Sequence, residues 1–433
     1  MLSHRAAGPP RRWGQLMDRL NPRFLAVKES ATLAINQRAR ALRQAGHLVC
    51  HLGFGESPFP VPPSMVEALK AHAGEKAYLP GEGLPELREA AAAFLRRQGH
   101  ELHAANILVG PGSKELLFDL LAILAGPVLV PVPAWVSYAP QAALLGKPFV
   151  PLETSRERGY RLAPETLAQA CRAHPGPKTL ILNSPGNPTG TVYSPEDLEG
   201  LAEVCEREGV VVLSDEIYGL VTFVGGPAPS MATVLPSQTI ITTGLSKAFA
   251  AGGWRLGLAA VPDALGALMA PLRAMISETF SAVSAPIQHG ALPAFAYGPE
   301  IAAFVETTTA IHRSASTYLF ERFQTLGLLC PRPEGAFYLF PDFEAHREIL
   351  ADRGITTGAA LAEALLRDAG VATLPGEDFG MAAESLTLRV ASVDYDGAEV
   401  LERFGKGTAS DDLFPRLHAG ADAIEAFLGV RTA

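Results

Sequence analysis

Between residues 107 and 261 short apolar runs recur, and each stops at glycine, proline or a cluster of polar residues. The runs near Ile107, Val128, Phe149, Thr179, Val210 and Ile240 alternate with segments whose apolar positions repeat at helical spacing. Strands that are apolar throughout, separated by helices, predict an α/β fold with a mostly parallel sheet covered on both faces. A further strand over 256–261 brings the expected sheet to seven strands. Helices are expected over 263–276 and 285–297, then a long one over 300–326 that joins two domains. After that the rhythm changes. Strands near Ala336, Val371 and Leu386 mix with helices near Ala359 and Leu413, which is the pattern of a smaller α+β domain. The expected division is a flexible N-terminal extension over 1–23, a segment over 24–62 that joins the small domain, a large domain over 63–299 and a small domain over 300–433. A chain of 433 residues exceeds one ordinary domain, so two domains around a shared cleft is the natural expectation.

Composition acts mainly by exclusion. With 48% hydrophobic and 19% charged residues the chain has the make-up of a globular protein with a sizeable core. The 36 basic and 45 acidic residues give a formal net charge of -9, which argues against a nucleic-acid partner held through phosphate contacts. Four cysteines, Cys50, Cys171, Cys205 and Cys330, lie far apart without metal-ligand spacing. They suit thiols in a reducing, cytoplasmic compartment better than a disulfide framework, and no metal is called for. The longest apolar stretch, 116–132, contains Asp119 and the breaker Gly126-Pro127, so a helix followed by a strand is expected there and no membrane span. Residues 1–23 carry Arg5, Arg11, Arg12, Arg19 and Arg23 without the apolar centre of a secretory signal.

Candidate chemistry sits where the strands end. In the run from Gly244 to Gly257, Lys247 is followed a short loop later by Arg255. A lysine amine can condense with an aldehyde and an arginine can clamp a phosphate, so this segment could hold a phosphorylated aldehyde at both ends. Taken alone, the pair also reads as surface charges. Asn187, in the turn Asn183-Ser184-Pro185-Gly186-Asn187-Pro188, follows a buried strand, and its side-chain amide could donate to a phenolic oxygen. Asp215 closes the run 210–215. An aspartate there could keep a pyridine nitrogen protonated, although Asp-Glu after a strand also caps helices. Tyr218, three residues on, could reach a ring hydroxyl. Arg389 is a charge inside an alternating strand and needs a partner, which a substrate carboxylate would supply. Ser113 opens a helical pattern after Gly110-Pro111-Gly112, and the free N–H groups of such a helix start favour an anion.

These segments, in this order, resemble the fold-type I pyridoxal-phosphate enzymes, specifically the class I/II aminotransferases, from about Val27 to the C-terminus. The resemblance implies pyridoxal 5'-phosphate as cofactor, joined to Lys247 as a Schiff base. It assigns Asp215 to the ring nitrogen, Asn187 and Tyr218 to the ring hydroxyl, and Trp135 to stacking on the ring. Ser113, Lys114, Ser246 and Arg255 fall at the phosphate, while Gly55 and Arg389 fall at the substrate carboxylate and Asn187 also touches the substrate. Tyr78 is similar to the tyrosine that reaches the cofactor phosphate of the neighbouring subunit, which implies a homodimer. One departure stands out. Three residues before the lysine the family usually has serine or threonine, whereas this chain has Gly244, with Ser246 and Thr243 as candidate substitutes.

The implied reaction moves an amino group from an L-amino acid to a 2-oxo acid. A lyase or decarboxylase on the same cofactor, such as a carbon-sulfur lyase, is the alternative, because the cofactor supports every carbanion route. A ligand-sensing module would need an attached helix-turn-helix, and a nicotinamide-dependent dehydrogenase would need a Gly-x-Gly-x-x-Gly turn after an early strand; neither is found. In dicarboxylate-specific relatives a second arginine beyond the lysine pairs with the distal carboxylate. Residues 278–284 lack one and carry Phe280 and Val283, so neutral or aromatic amino acids are expected to be preferred over aspartate.

Overall fold

The computed structural model describes residues 20–25, 27, 29–408 and 412–429. Most of the N-terminal extension expected over 1–23 therefore lies outside the described residues. A short strand β1 (Cys50–His51) precedes the seven strands of the main sheet. These are β2 (Ile107–Gly110), β3 (Val128–Val132), β4 (Phe149–Glu153), β5 (Thr179–Asn183), β6 (Val211–Asp215), β7 (Thr239–Gly244) and β8 (Gly257–Ala260). Their order is β2-β8-β7-β6-β5-β3-β4, with β8 alone running against its neighbours. Each expected strand is present, and β2, β5 and β8 are buried almost throughout, as strands covered on both faces must be.

Helices Ser113–Ile123, Pro164–Ala173 and Pro195–Glu208 cover the sheet, and the last shows how sequence sets a boundary. Ser194 accepts from Asp197 N, the Asp197 side chain answers on Ser194 N, Pro195 opens the first turn, and Gly209 at φ 62 ends it. The stretch expected as a helix over 263–276 begins as a 3-10 turn over Asp263–Leu268 and becomes α-helical over Met269–Glu278.

The remaining strands are β9 (Tyr338–Leu339), β10 (Val371–Ala372), β11 (Leu374–Pro375) and β12 (Leu388–Ala391). They form a three-stranded antiparallel sheet, β11-β12-β9, and a parallel pair, β1-β10, that ties the N-terminal segment to the C-terminal part. The strand expected near Ala336 starts two residues later, because Ala336 has a φ of 55, outside extended backbone. Helix Pro299–Thr325 runs from one apolar core into the next: Ile301 and Val305 pack with the cluster around the main sheet, Ile311 to Phe323 with the cluster around the C-terminal elements.

Candidate active site

Register decides where the site forms. Asn183 pairs with Asp215 and Asp215 with Thr242, so the carboxyl ends of β5, β6 and β7 lie side by side. Their following loops, the start of helix Ser113–Ile123 and β12 enclose a cavity of about 430 Å³. Eleven of the twelve residues singled out in the sequence line it: Gly55, Ser113, Lys114, Trp135, Asn187, Asp215, Tyr218, Ser246, Lys247, Arg255 and Arg389. The twelfth, Tyr78, is 94% exposed and does not line it.

Asp215 is buried, and burial pushes its carboxyl up to about 6, against the O–H of Tyr138, the N–H of Ile217 and the nearby Lys247 charge. Tyr138 donates to Asp215 Oδ2 at 2.7 Å, and Ile217 N lies 3.4 Å from Oδ1. The Asn183 amide fixes the same turn by donating to Asp215 O at 2.8 Å. A buried carboxylate with this much residual desolvation cost favours a cationic N–H as its neighbour. Lys247 Nζ donates to Gly55 O at 2.6 Å and lies 5.3 Å from the centre of the Tyr218 ring.

At the other end of the cavity Gly112, at φ 96, caps helix Ser113–Ile123, and a Cβ there would collide with the Arg255 guanidinium. Glycine is thus what lets the helix start and the arginine converge. Arg255 Nη1 donates to Gly252 O at 3.1 Å and Nη2 to Pro111 O at 3.3 Å. Lys114 Nζ stands 4.9 Å from the Trp135 ring centre, and burial, then Arg255 and Lys247, lower its proton affinity. Two converging cations and a helix N-terminus offer an anion cup.

Gly244 now has a physical explanation. A Cβ on it would lie 2.7 Å from Leu256 O and 2.9 Å from Gly257 Cα, so no serine or threonine fits without moving the β7-β8 backbone. Of the two candidate substitutes, Ser246 lines the cavity, whereas Thr243 turns its hydroxyl toward Glu216 O at 3.4 Å.

Arg389 is 1% exposed. Its Nη2 donates to Gly53 O at 2.6 Å, Nη1 reaches Asn187 Oδ1 at 3.4 Å, and Nε has no hydrogen bond. Burial lowers its proton affinity, and the guanidinium lies 4.8 Å from the Tyr338 ring centre. An under-satisfied buried guanidinium facing a cavity is a receptor for a carboxylate.

Sequence reasoning missed Tyr138, Asn183 and Tyr338. Tyr338 shares a 2.7 Å hydrogen bond with the Tyr218 hydroxyl, and Gly55 must lack a side chain because a Cβ there would strike the Tyr338 hydroxyl. Tyr138 stands at the start of helix Tyr138–Leu145 and Tyr338 on β9, while their partners Asp215 and Tyr218 lie at and just beyond the end of β6. The cavity mouth also takes in Ser30, Thr32 and Leu33, next to the start of helix Ala31–Gln44. Nothing in that helix pattern foretold where its N-terminus would dock.

Comparison with known proteins settles the family. The model for aminotransferase class I and II matches residues 49–402. An aspartate aminotransferase of Geobacillus stearothermophilus is 37% identical over 372 residues, 84% of this chain and 92% of that protein. The aspartate/prephenate aminotransferase of Thermus thermophilus is 35% identical over 398 residues, 89% of this chain and 98% of its own length. A solved structure of Thermus thermophilus aspartate aminotransferase with maleate superposes with a TM-score of 0.81 at 33% identity, covering 93% of this chain and 99% of the other. The chain belongs to the class I and II aminotransferases. It is a pyridoxal-phosphate-dependent enzyme that transfers an amino group between an amino acid and a 2-oxo acid, and these findings favour that over the lyase alternative.

Proposed function

We propose that the eleven cavity residues divide the work of amino transfer as the sequence reading assigned it. The observation that carries this is their convergence on one cavity with a buried carboxylate at one wall and two cations at the opposite end. Bound pyridoxal phosphate supplies an electron sink for the bond broken at the substrate α-carbon. Lys247 anchors it covalently and moves the proton at that carbon. Asp215 holds a proton on the ring nitrogen, and Tyr138 keeps Asp215 oriented. Asn187 and Tyr218 donate to the ring oxygen, with Tyr338 holding the Tyr218 hydroxyl. Trp135 covers the ring. Ser113, the Lys114 backbone, Ser246 and Arg255 bind the phosphate. Arg389 and the Gly55 N–H grip the α-carboxylate.

For the substrate side chain the support has moved. The expectation of a neutral or aromatic preference rested on the missing arginine in 278–284, and neither Phe280 nor Val283 lines the cavity within one chain. Lys114 does line it, from a different element. Relatives that align over most of the chain include aspartate and aspartate/prephenate aminotransferases, beside an asparagine–oxo-acid transaminase of Streptococcus mutans. We therefore propose aspartate as an amino donor, its distal carboxylate facing Lys114, ahead of alanine and phenylalanine. Comparison of kcat/KM for aspartate, glutamate, alanine and phenylalanine is the test. Lys114→Ala should lower the two acidic substrates selectively by about 1.5 kcal/mol, roughly tenfold. Arg389→Ala should lower all four alike by about 2 to 5 kcal/mol. Equal losses across the four in the Lys114 variant, or a clear wild-type preference for phenylalanine, would return the reading to a neutral or aromatic substrate.

We further propose a homodimer in which Tyr78, almost fully exposed on its own chain, enters the neighbour's cavity. Sedimentation at assay concentration should give a dimer, and a fully active monomer would overturn this. Two apolar clusters joined by helix Pro299–Thr325 support two domains, with the changeover inside that helix, between Val305 and Ile311, while Ala336 to Tyr338 pack back onto the main-sheet cluster. No described helix is long and apolar enough to cross a membrane. A cytoplasmic location is supported by four free cysteines, two of them buried.

A further inference from the structure

Away from the cavity, the described residues bring one group of metal-ligating side chains together from separate elements: His72, Glu75 and His289. Helix Pro63–Ala71 packs along helix Ala285–Ala296, and Gly290 makes the approach close. A Cβ on Gly290 would stand 2.9 Å from the Trp254 ring and 3.2 Å from Leu69 Cβ. His289 is next to that glycine and His72 lies one turn beyond Leu69, so the same contact sets two imidazoles face to face. Their rings stack at 4.0 Å with 8° between planes. The chain then turns, Glu75 N donating to His72 O at 3.0 Å, which brings Glu75 Oε1 to 3.7 Å from His72 Nδ1. One ligand atom from each of the three lies within 4.8 Å of the others.

Two imidazoles and one carboxylate are a donor set for a first-row divalent cation of the zinc type, not for magnesium or calcium, which seek oxygen. Ligand bonds of about 2.0 to 2.2 Å require donor separations near ~3.4 Å and a metal in the plane of each ring, so the stacked imidazoles must turn out of their parallel arrangement and donors up to 4.8 Å apart must close by roughly 1.4 Å. Side-chain exposures of 40% for His72 and 50% for Glu75 leave room for that rotation. A fourth position would remain for water. We propose that His72, Glu75 and His289 form a zinc-type site that fastens the segment 72–78 to helix Ala285–Ala296. That segment carries Tyr78, so a functional consequence rests on the proposed dimeric site, whereas the binding itself does not.

The experiment is calorimetric titration and native mass spectrometry of the cofactor-loaded enzyme with zinc chloride, in buffer free of amino acids that would chelate the metal. One zinc per chain is expected. His72→Ala, His289→Ala and Glu75→Gln should each weaken it at least roughly tenfold, since losing even an outer partner of a ligand costs about that much. Unchanged visible cofactor spectra and circular dichroism would show the variants folded. Hydrogen exchange over 72–80 should slow with zinc in the wild type and not in His289→Ala. Absence of binding, or wild-type affinity retained in all three variants, would overturn the site, and binding without slowed exchange would overturn the fastening. Neither readout passes through amino transfer, so its failure is separable from failure of the proposed catalytic roles.

Discussion

Lys247→Ala is expected to reduce amino-transfer turnover at least ~1,000-fold, about 4 kcal/mol of lost transition-state stabilisation, with the fold intact. The magnitude follows from geometry. Nζ is placed between the end of β7 and Gly55 O, 2.6 Å away, beside the aromatic faces of Tyr218 and Phe337. Lys114, the other lysine in the cavity, lies at the Trp135 ring. Its Nζ is held over that ring on the helix Ser113–Ile123 side of the cavity, not at the turn that follows β7. Stability should barely change, because the side chain is half-buried and makes a single hydrogen bond. Borohydride treatment of the loaded wild type followed by peptide mapping should find the added mass on Lys247. An adduct on another lysine, or a variant with near-normal turnover, would remove Lys247 from the centre of the site.

The main sheet was legible because its strands are buried on both faces and read as unbroken apolar runs, from Thr179 through Leu182 or from Val210 through Leu213. Candidate residues were legible where a strand end delivers them, since Asp215, Asn187 and Lys247 each follow such a run within a few residues. What stayed hidden depends on contacts between distant segments. Tyr138 reaches Asp215 from another helix start, and Tyr338 reaches Tyr218 from the C-terminal elements. The reason for Gly244 is likewise tertiary: it lies in the backbone of β8, which no local pattern around Lys247 reports. Helix ends were less legible than strand ends. The start of helix Ala31–Gln44 has no side-chain cap to mark it, yet the flanking residues face the cavity. Tyr78 was legible as a motif, while its surroundings cannot be read from one chain at all.

Asp215→Ala is expected to retain some cofactor and lose activity at least about 100-fold, roughly 2.7 kcal/mol. Burial alone favours the neutral acid, and the carboxyl is raised to about 6; the Tyr138 O–H, the Ile217 N–H and the Lys247 charge all act the other way. A protonated ring nitrogen adjacent to Asp215 would add a second counter-charge beside that of Lys247. Each member of such a pair then stabilises the ionised form of the other. Alanine removes the carboxylate and leaves a neutral ring, a poorer sink for the electrons of the α-carbon bond. Asp215→Glu keeps the charge but lengthens the arm in a site fixed by Tyr138 and Asn183, so it should fall between the two. Tyr138→Phe keeps the carboxylate and strips one donor from it. Its loss should be smaller than that of Asp215→Ala and should add little to it in the double variant, because both act through one group. Cofactor content by absorbance, measured alongside kcat, separates binding from chemistry. Near-normal turnover in a loaded Asp215→Ala enzyme would show that this carboxylate does not hold the ring proton.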